Sequence, residues 1–133
     1  MNGKRGWGRR GYPRRLAAWG AIVAALWSPI AWPHAGIVKF EPGRRAVLRA
    51  SPRHISVAFA ETIEPAYSSL VLLDAKGKEP PHGKSHVEPN DPKRLLMSIE
   101  PLAPGAYTVR YKALSLDGHV VSGEYGFSVG PIR

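Results

Sequence analysis

The chain has 133 residues, enough for one domain with a modest core but hardly for two. Its formal net charge of +9 would usually indicate a nucleic-acid partner, but six of the nineteen basic residues precede residue 16, where no acidic residue occurs. The remaining thirteen basic residues are nearly balanced by ten acidic ones, which argues against nucleic-acid binding. The absence of cysteine excludes a disulfide framework and any thiolate metal site.

The N-terminal segment has the layout of an export signal. A basic stretch is followed by an uncharged, mostly apolar run over residues 16–32. This run is near the shortest length that spans a bilayer, and Gly20 and Pro29 interrupt it. We therefore predict that residues 1-33 form a signal peptide or an N-terminal membrane anchor. Residues 34-133 are then the exported domain, tethered to the membrane if the leader is not cleaved.

The exported part consists of short apolar runs separated by proline and glycine, a pattern typical of an all-β domain. Strands are predicted where apolar residues alternate with polar ones or run together, over 53–60, 70–73, 95–99, 107–113 and 123–129. The polar, proline-rich residues 80–92 predict a long loop or a frayed edge. The spacing favours an antiparallel Greek-key β-sandwich or barrel, immunoglobulin-like, with about seven strands.

Histidine is the residue type in this part that most readily binds a metal, because a neutral imidazole is the commonest metal ligand. The five histidines are His34, His54, His82, His86 and His119. A single histidine usually lies at the surface or in a turn. His82 and His86 share the polar segment and make at most a weak secondary metal site.

Asp117 and His119 flank Gly118 and form a more informative pattern than any single histidine. Residues two apart on a strand point to the same side, so the two side chains could reach one small ion. Asp-Gly is also an ordinary hairpin turn, and the spacing alone favours that interpretation. Both interpretations stay open at this point.

His34 directly follows the apolar leader. If processing exposed it, its α-amine and imidazole could chelate a metal together, and with Asp117 and His119 the donors would be three nitrogens and one oxygen. Such a set suits Cu(II), the divalent ion that these ligands hold most tightly. Pro33 conflicts with this cleavage, because signal peptidase prefers a small residue there. Cleavage two residues earlier would leave the amine on Trp32.

Two runs of the sequence carry a family resemblance. VAFAETIEPAYSSLVLLDAKGK, over 57–78, and LAPGAYTVRYKALSLDGHVVSGEYGFSV, over 102–129, with His34-Ala35 ahead of them, resemble the CopC copper-resistance family of periplasmic proteins. The second run is similar to that family's pattern PGxYxVxWxxxSxDGHxxxGxxxFxV. The resemblance covers nearly all of residues 34-133.

The resemblance implies a small Greek-key β domain that binds Cu(II). It assigns the imidazole and amine of His34, the imidazole of His119 and an axial or hydrogen-bonded oxygen of Asp117 to the copper site. Glu61 matches a glutamate that lies near the copper in some members. The implied role is copper resistance or homeostasis, without enzymatic activity, in which the protein buffers copper or passes it to an inner-membrane transporter of the CopD type.

The chain departs from the family pattern at two further points. Some members have a methionine-rich Cu(I) loop, whereas this chain has only Met1 and Met97, so we expect Cu(II) alone to bind. Tyr111 stands where many members have tryptophan. The alternative from another functional class is an immunoglobulin-like interaction module without a metal site, in which Asp117 to His119 form only a turn. A third, a copper-dependent oxidative enzyme, would need a substrate platform that so short a chain does not suggest.

Overall fold

The computed structural model describes residues 36–131, together with Gly3 and Gly11. Residues 1-33, apart from those two glycines, lie outside the described residues, and so does His34. The described part contains eight strands: β1 (Ile37–Glu41), β2 (Val47–Leu48), β3 (His54–Phe59), β4 (Ser69–Asp74), β5 (His86–Glu88), β6 (Asp91–Ser98), β7 (Gly105–Leu114) and β8 (Val120–Val129). A three-residue 3-10 helix spans Pro65–Tyr67. Within this part of the chain, no helix has the length and apolar character needed to cross a membrane.

The strands form two four-stranded sheets, one in the order β1-β3-β6-β5 and the other in the order β2-β8-β7-β4. The predicted all-β, sandwich-like architecture is confirmed. The pairing differs from the prediction at one place, because β2 runs parallel to β8. The β2 pair involves only two residues, too few for any alternating pattern to be visible in the sequence.

The core lies between the sheets and follows from the two-residue period of the strands. Ile55 and Val57 of β3 are fully buried, as are Leu95 and Met97 of the neighbouring β6. Leu72 of β4 is fully buried in the opposite sheet. All of them belong to one apolar cluster, because alternate side chains of each strand face the same side.

The segment 80–92 is more ordered than the sequence predicts. Its residues His86–Glu88 form β5 at the edge of the first sheet, and β6 already begins at Asp91. Pro92 is tolerated there because the ladder to β3 starts only at Arg94. The carbonyl of Pro92 accepts a hydrogen bond from the amide of Ile63 at 3.0 Å.

The β7–β8 hairpin is the longest element of the fold and determines where its tip lies. Its register runs without a shift from Gly105 opposite Val129 to Leu114 opposite Val120. On the core side of this hairpin, Tyr111 lies over Gly123, where an added Cβ would come within 2.5 Å of the tyrosine hydroxyl. The tyrosine at this position therefore packs only because residue 123 is glycine.

The buried hydroxyl groups of Tyr111 and Tyr125 have no hydrogen-bond partner among the described residues. The ring of Phe40 lies 5.6 Å from that of Tyr111 and 4.3 Å from that of Tyr125, measured between centroids. Burial raises the pKa of both hydroxyls, so both stay protonated. An unpaired buried hydroxyl costs free energy that a phenyl ring would not.

We therefore expect Tyr125→Phe to leave the free energy of unfolding unchanged or to raise it by up to about 1 kcal/mol. Tyr107→Phe is the matched control, because the Tyr107 hydroxyl donates to the carbonyl of Ala103 at 2.6 Å. The free energy of unfolding of Tyr107→Phe should fall by about 1 kcal/mol, because the substitution removes this hydrogen bond. Urea unfolding of both variants measures the difference, and a greater loss in Tyr125→Phe would contradict the account.

Candidate metal centre

The tip of the β7–β8 hairpin is a three-residue loop, Leu116–Asp117–Gly118. The Gly118 amide donates to the Ser115 carbonyl at 2.9 Å, and the Ser115 amide donates to the His119 carbonyl at 2.9 Å. Gly118 has a φ of 90°, in the region that favours glycine. This is a type I turn closed by a glycine bulge, so the predicted Asp-Gly turn is confirmed.

The same loop brings Asp117 and His119 into contact. Oδ2 of Asp117 lies 3.0 Å from Nδ1 of His119, and the two side chains are 50% and 81% exposed. The contact has a different origin from the one predicted, because Asp117 lies in the loop and His119 directly follows it, and neither residue is on a strand. The side chains are therefore together at the surface, where an ion in solution can reach them.

The carboxylate of Asp117 is held by more than this ion pair. Its Oδ1 accepts hydrogen bonds from the Ser115 hydroxyl and from the His119 amide, the latter at 3.2 Å. These bonds, with the hydroxyl contributing most, lower the pKa of Asp117 to about 2. Asp117 is thus an anion, and its carboxylate contacts Nδ1 of His119. This contact leaves Nε2 as the imidazole nitrogen that can bind a metal.

The N-terminal strand of the described domain begins beside this loop. The carbonyl of Gly36 accepts a hydrogen bond from the amide of Ala60 at 2.8 Å. A Cβ placed on Gly36 would lie 3.0 Å from Cγ2 of Val121, and Val121 is two residues beyond His119. The start of β1 is thereby fixed next to the first residues of β8.

Glu61 lies on the backbone segment that connects these two features. The preceding residue, Ala60, is hydrogen-bonded to Gly36. The carbonyl of the following residue, Thr62, accepts a hydrogen bond from the Leu116 amide at 3.0 Å. Lys93 also donates from Nζ to the Ala60 carbonyl at 2.8 Å. The Glu61 side chain is exposed and makes no hydrogen bond or ion pair with the described residues. Its position is compatible with the predicted role, but it makes no hydrogen bond or ion pair with Asp117 or His119.

The other described histidines, His54, His82 and His86, are not grouped with Asp117 and His119. His82 Nε2 lies 3.2 Å from Glu79 and its Nδ1 lies 2.6 Å from the Gly83 carbonyl, whereas His86 Nδ1 lies 3.1 Å from the Lys84 carbonyl. His54 is exposed at the start of β3, the end farthest from Ala60. In the described residues, no three His, Cys, Asp or Glu side chains are grouped as a metal site would require. Within residues 36–131, no third such side chain lies beside Asp117 and His119.

Sequence reasoning did not single out Ser115, Gly36 or Lys93. The signal for Ser115 was present, because it is the serine of the SxDGH part of the pattern. No local pattern marks Gly36 or Lys93, since their role depends on which segments meet at this end of the sandwich.

Comparison with known proteins connects this geometry to a family. The family model of the CopC domain matches residues 37–130, the whole sandwich with its hairpin tip. The chain belongs to the CopC family. The crystal structure of CopC from Methylosinus trichosporium OB3b has a TM-score of 0.68 and 35% identity, covering 75% of this chain and 97% of that one.

Two relatives connect the CopC family to copper by name. Copper resistance protein C of Xanthomonas campestris pv. juglandis is 32% identical over an alignment of 114 residues, and the match covers 81% of this chain and 89% of that protein. Copper transport protein CutJ of Bacillus subtilis (strain 168) is 28% identical over 98 residues, which are 73% of this chain but only 18% of CutJ. The CopC-like domain thus also matches a small part of a much longer copper transport protein.

Proposed function

We propose that this protein is a periplasmic Cu(II)-binding protein of copper resistance or homeostasis, which buffers the ion or passes it to a membrane transporter. The observation that carries the proposal is the Asp117–His119 pair at a hairpin tip, beside the point where the chain enters the sandwich at Gly36. An imidazole oriented by a carboxylate is a common arrangement at metal sites.

His34 is the donor that would complete the pair. Two residues of chain span at most about 7 Å, so His34 can lie no farther than that from Gly36 along the backbone. An amine and two imidazoles, with the Asp117 carboxylate bonded to one of the imidazoles, form a nitrogen-rich set that prefers Cu(II) among the divalent ions. Glu61 is the fourth proposed contributor, as an oxygen donor near the ion.

Each residue has a distinct task in this proposal. His119 binds the ion through Nε2 while Asp117 fixes its ring and supplies negative charge. The exposure of both side chains lets copper enter and leave without opening the fold. Such a site suits a protein that exchanges its ion with a partner, and a transporter of the CopD type is the partner that we propose.

Copper titration of two forms of the domain tests this assignment. The form that starts at His34 should bind one Cu(II), with d–d absorption that saturates at one equivalent. A form that starts at Trp32 keeps both imidazoles but moves the amine away from His34. We expect it to bind at least about tenfold more weakly, by analogy with the loss of a supporting metal contact.

The same titration separates the proposal from its alternative. If the domain is an immunoglobulin-like interaction module, neither form binds Cu(II) stoichiometrically, and the proposed function is wrong. N-terminal sequencing of the protein recovered from its host then decides which form exists in the periplasm. A mature chain that starts at Trp32 would remove the amine of His34 from the site.

A further inference from the structure

Ser115 is a buried polar residue at the base of the loop that carries Asp117 and His119. Its relative exposure is 6%, and it forms an isolated bridge with Ile63 of the neighbouring segment. Most serine hydroxyls in a β domain are solvated, so a buried one needs a partner within the protein. The partners of the Ser115 hydroxyl are Asp117 and His119, at the tip of the same hairpin.

The Ser115 hydroxyl contacts both predicted metal-site residues. It donates to Oδ1 of Asp117 and accepts a hydrogen bond from the amide of His119 at 3.2 Å. The hydroxyl oxygen also lies 3.1 Å from the carbonyl oxygen of His119. One side chain therefore connects the carboxylate of Asp117 with the backbone of His119.

We propose that Ser115 is a positioning residue, which holds Asp117 and His119 as one preorganised unit before copper arrives. The inference rests on the proposed copper function and adds a residue that touches no metal. A hydrogen bond to a carboxylate is stronger than one between neutral groups, so the hydroxyl restrains the Asp117 rotamer. Asp117 in turn restrains the His119 ring through Nδ1.

Preorganisation has a measurable consequence for affinity. An exposed aspartate and an exposed histidine without this anchor would populate several rotamers, and binding would have to order them. The Ser115→Ala variant removes a single oxygen atom and leaves every apolar contact of the loop in place. We expect its Cu(II) affinity to fall by about 10- to 100-fold, the range typical of outer-shell changes.

The control is Ser122→Ala, which removes an exposed serine from β8 of the same hairpin. It should bind Cu(II) within about twofold of the unmodified protein, because surface substitutions away from such features have small effects. Ser115→Thr keeps the hydroxyl and should retain most of the affinity. A Ser115→Ala protein with unchanged Cu(II) affinity would overturn the inference.

A double-mutant cycle distinguishes positioning from a general loss of structure. If Ser115 acts through Asp117, then Ser115→Ala should weaken binding much less in an Asp117→Asn background than in the unmodified protein. Full additivity of the two substitutions would contradict the proposal. The unmodified protein must bind copper for this cycle to be measured, and its failure to do so would refute the proposed function first.

Hydrogen exchange of the His119 amide tests the positioning without any metal. This amide donates only to Ser115 Oγ and Asp117 Oδ1 among the described residues. In Ser115→Ala it should exchange at least several-fold faster, while the Tyr111 amide within the β7–β8 ladder should not change. Equal exchange of His119 in both proteins would show that the hydroxyl does not anchor the loop, whether or not copper binds.

Discussion

The His119→Ala variant is expected to lose Cu(II) affinity by at least about 100-fold, the upper end of the range seen when only a supporting contact is removed. Its imidazole is the only one in residues 36–131 that is paired with the carboxylate of Asp117. Because the side chain is 81% exposed, its removal should change the free energy of unfolding by no more than about 0.5 kcal/mol relative to the unmodified protein. Competition titration against a chelator of known affinity measures the change in copper binding.

The matched control is His54→Ala. His54 is also an exposed histidine, but it lies at the start of β3, the end of that strand farthest from Ala60. The variant loses one imidazole from the same domain and should bind Cu(II) as the unmodified protein does. Equal weakening by the two substitutions would indicate that copper binds nonspecifically to surface histidines.

Copper affinity should fall steeply as the solution is acidified. Histidine side chains ordinarily titrate near pH 6.5, and a metal can bind only the deprotonated ring. Protons therefore compete with copper for each imidazole ligand, and the apparent affinity should fall as the pH drops through about 6.5 and below. The fall should be steeper with two imidazole ligands than with one. Competition titrations at several pH values measure the slope.

Asp117 does not cause this pH dependence. Its hydrogen bond from Ser115 and its contacts with His119 lower the pKa to about 2, below its ordinary value of 3.8. A carboxyl group with a lowered pKa keeps its charge above its ordinary pKa and loses it only as the pH approaches the lowered value. Asp117 thus stays ionised throughout the window in which the imidazoles take up protons. An affinity that stays flat between about pH 7.5 and about pH 5 would contradict histidine ligation.

The strands that the sequence predicts well are those that bury alternate residues. Ile55, Val57 and Phe59 lie in β3 as expected, because only one face of that strand meets the core. The short strands β2 and β5 escape prediction, since two or three residues show no period and their pairing depends on neighbours distant in sequence. Pro92 gives the start of β6 the appearance of a loop, although a proline fits there because the ladder to β3 begins only at Arg94.

The candidate site is predictable only in part for a related reason. Asp117 and His119 were identified from their spacing and from the family pattern, but their contact arises from a loop whose geometry Ser115 fixes. The approach of Gly36 to Val121 depends on how β1 packs, which no local pattern contains. The contribution of His34 stays a prediction, because that residue lies outside the described residues.

Electron paramagnetic resonance of the Cu(II) complex tests the central claim most directly. The domain that starts at His34 should be prepared with one equivalent of Cu(II), once unlabelled and once with ¹⁵N-histidine. We predict a tetragonal spectrum with nitrogen superhyperfine structure, which changes on labelling and is altered in His119→Ala, where one imidazole nitrogen is missing. A spectrum of hydrated Cu(II), or one that neither the label nor the substitution alters, would contradict copper binding by His34 and His119.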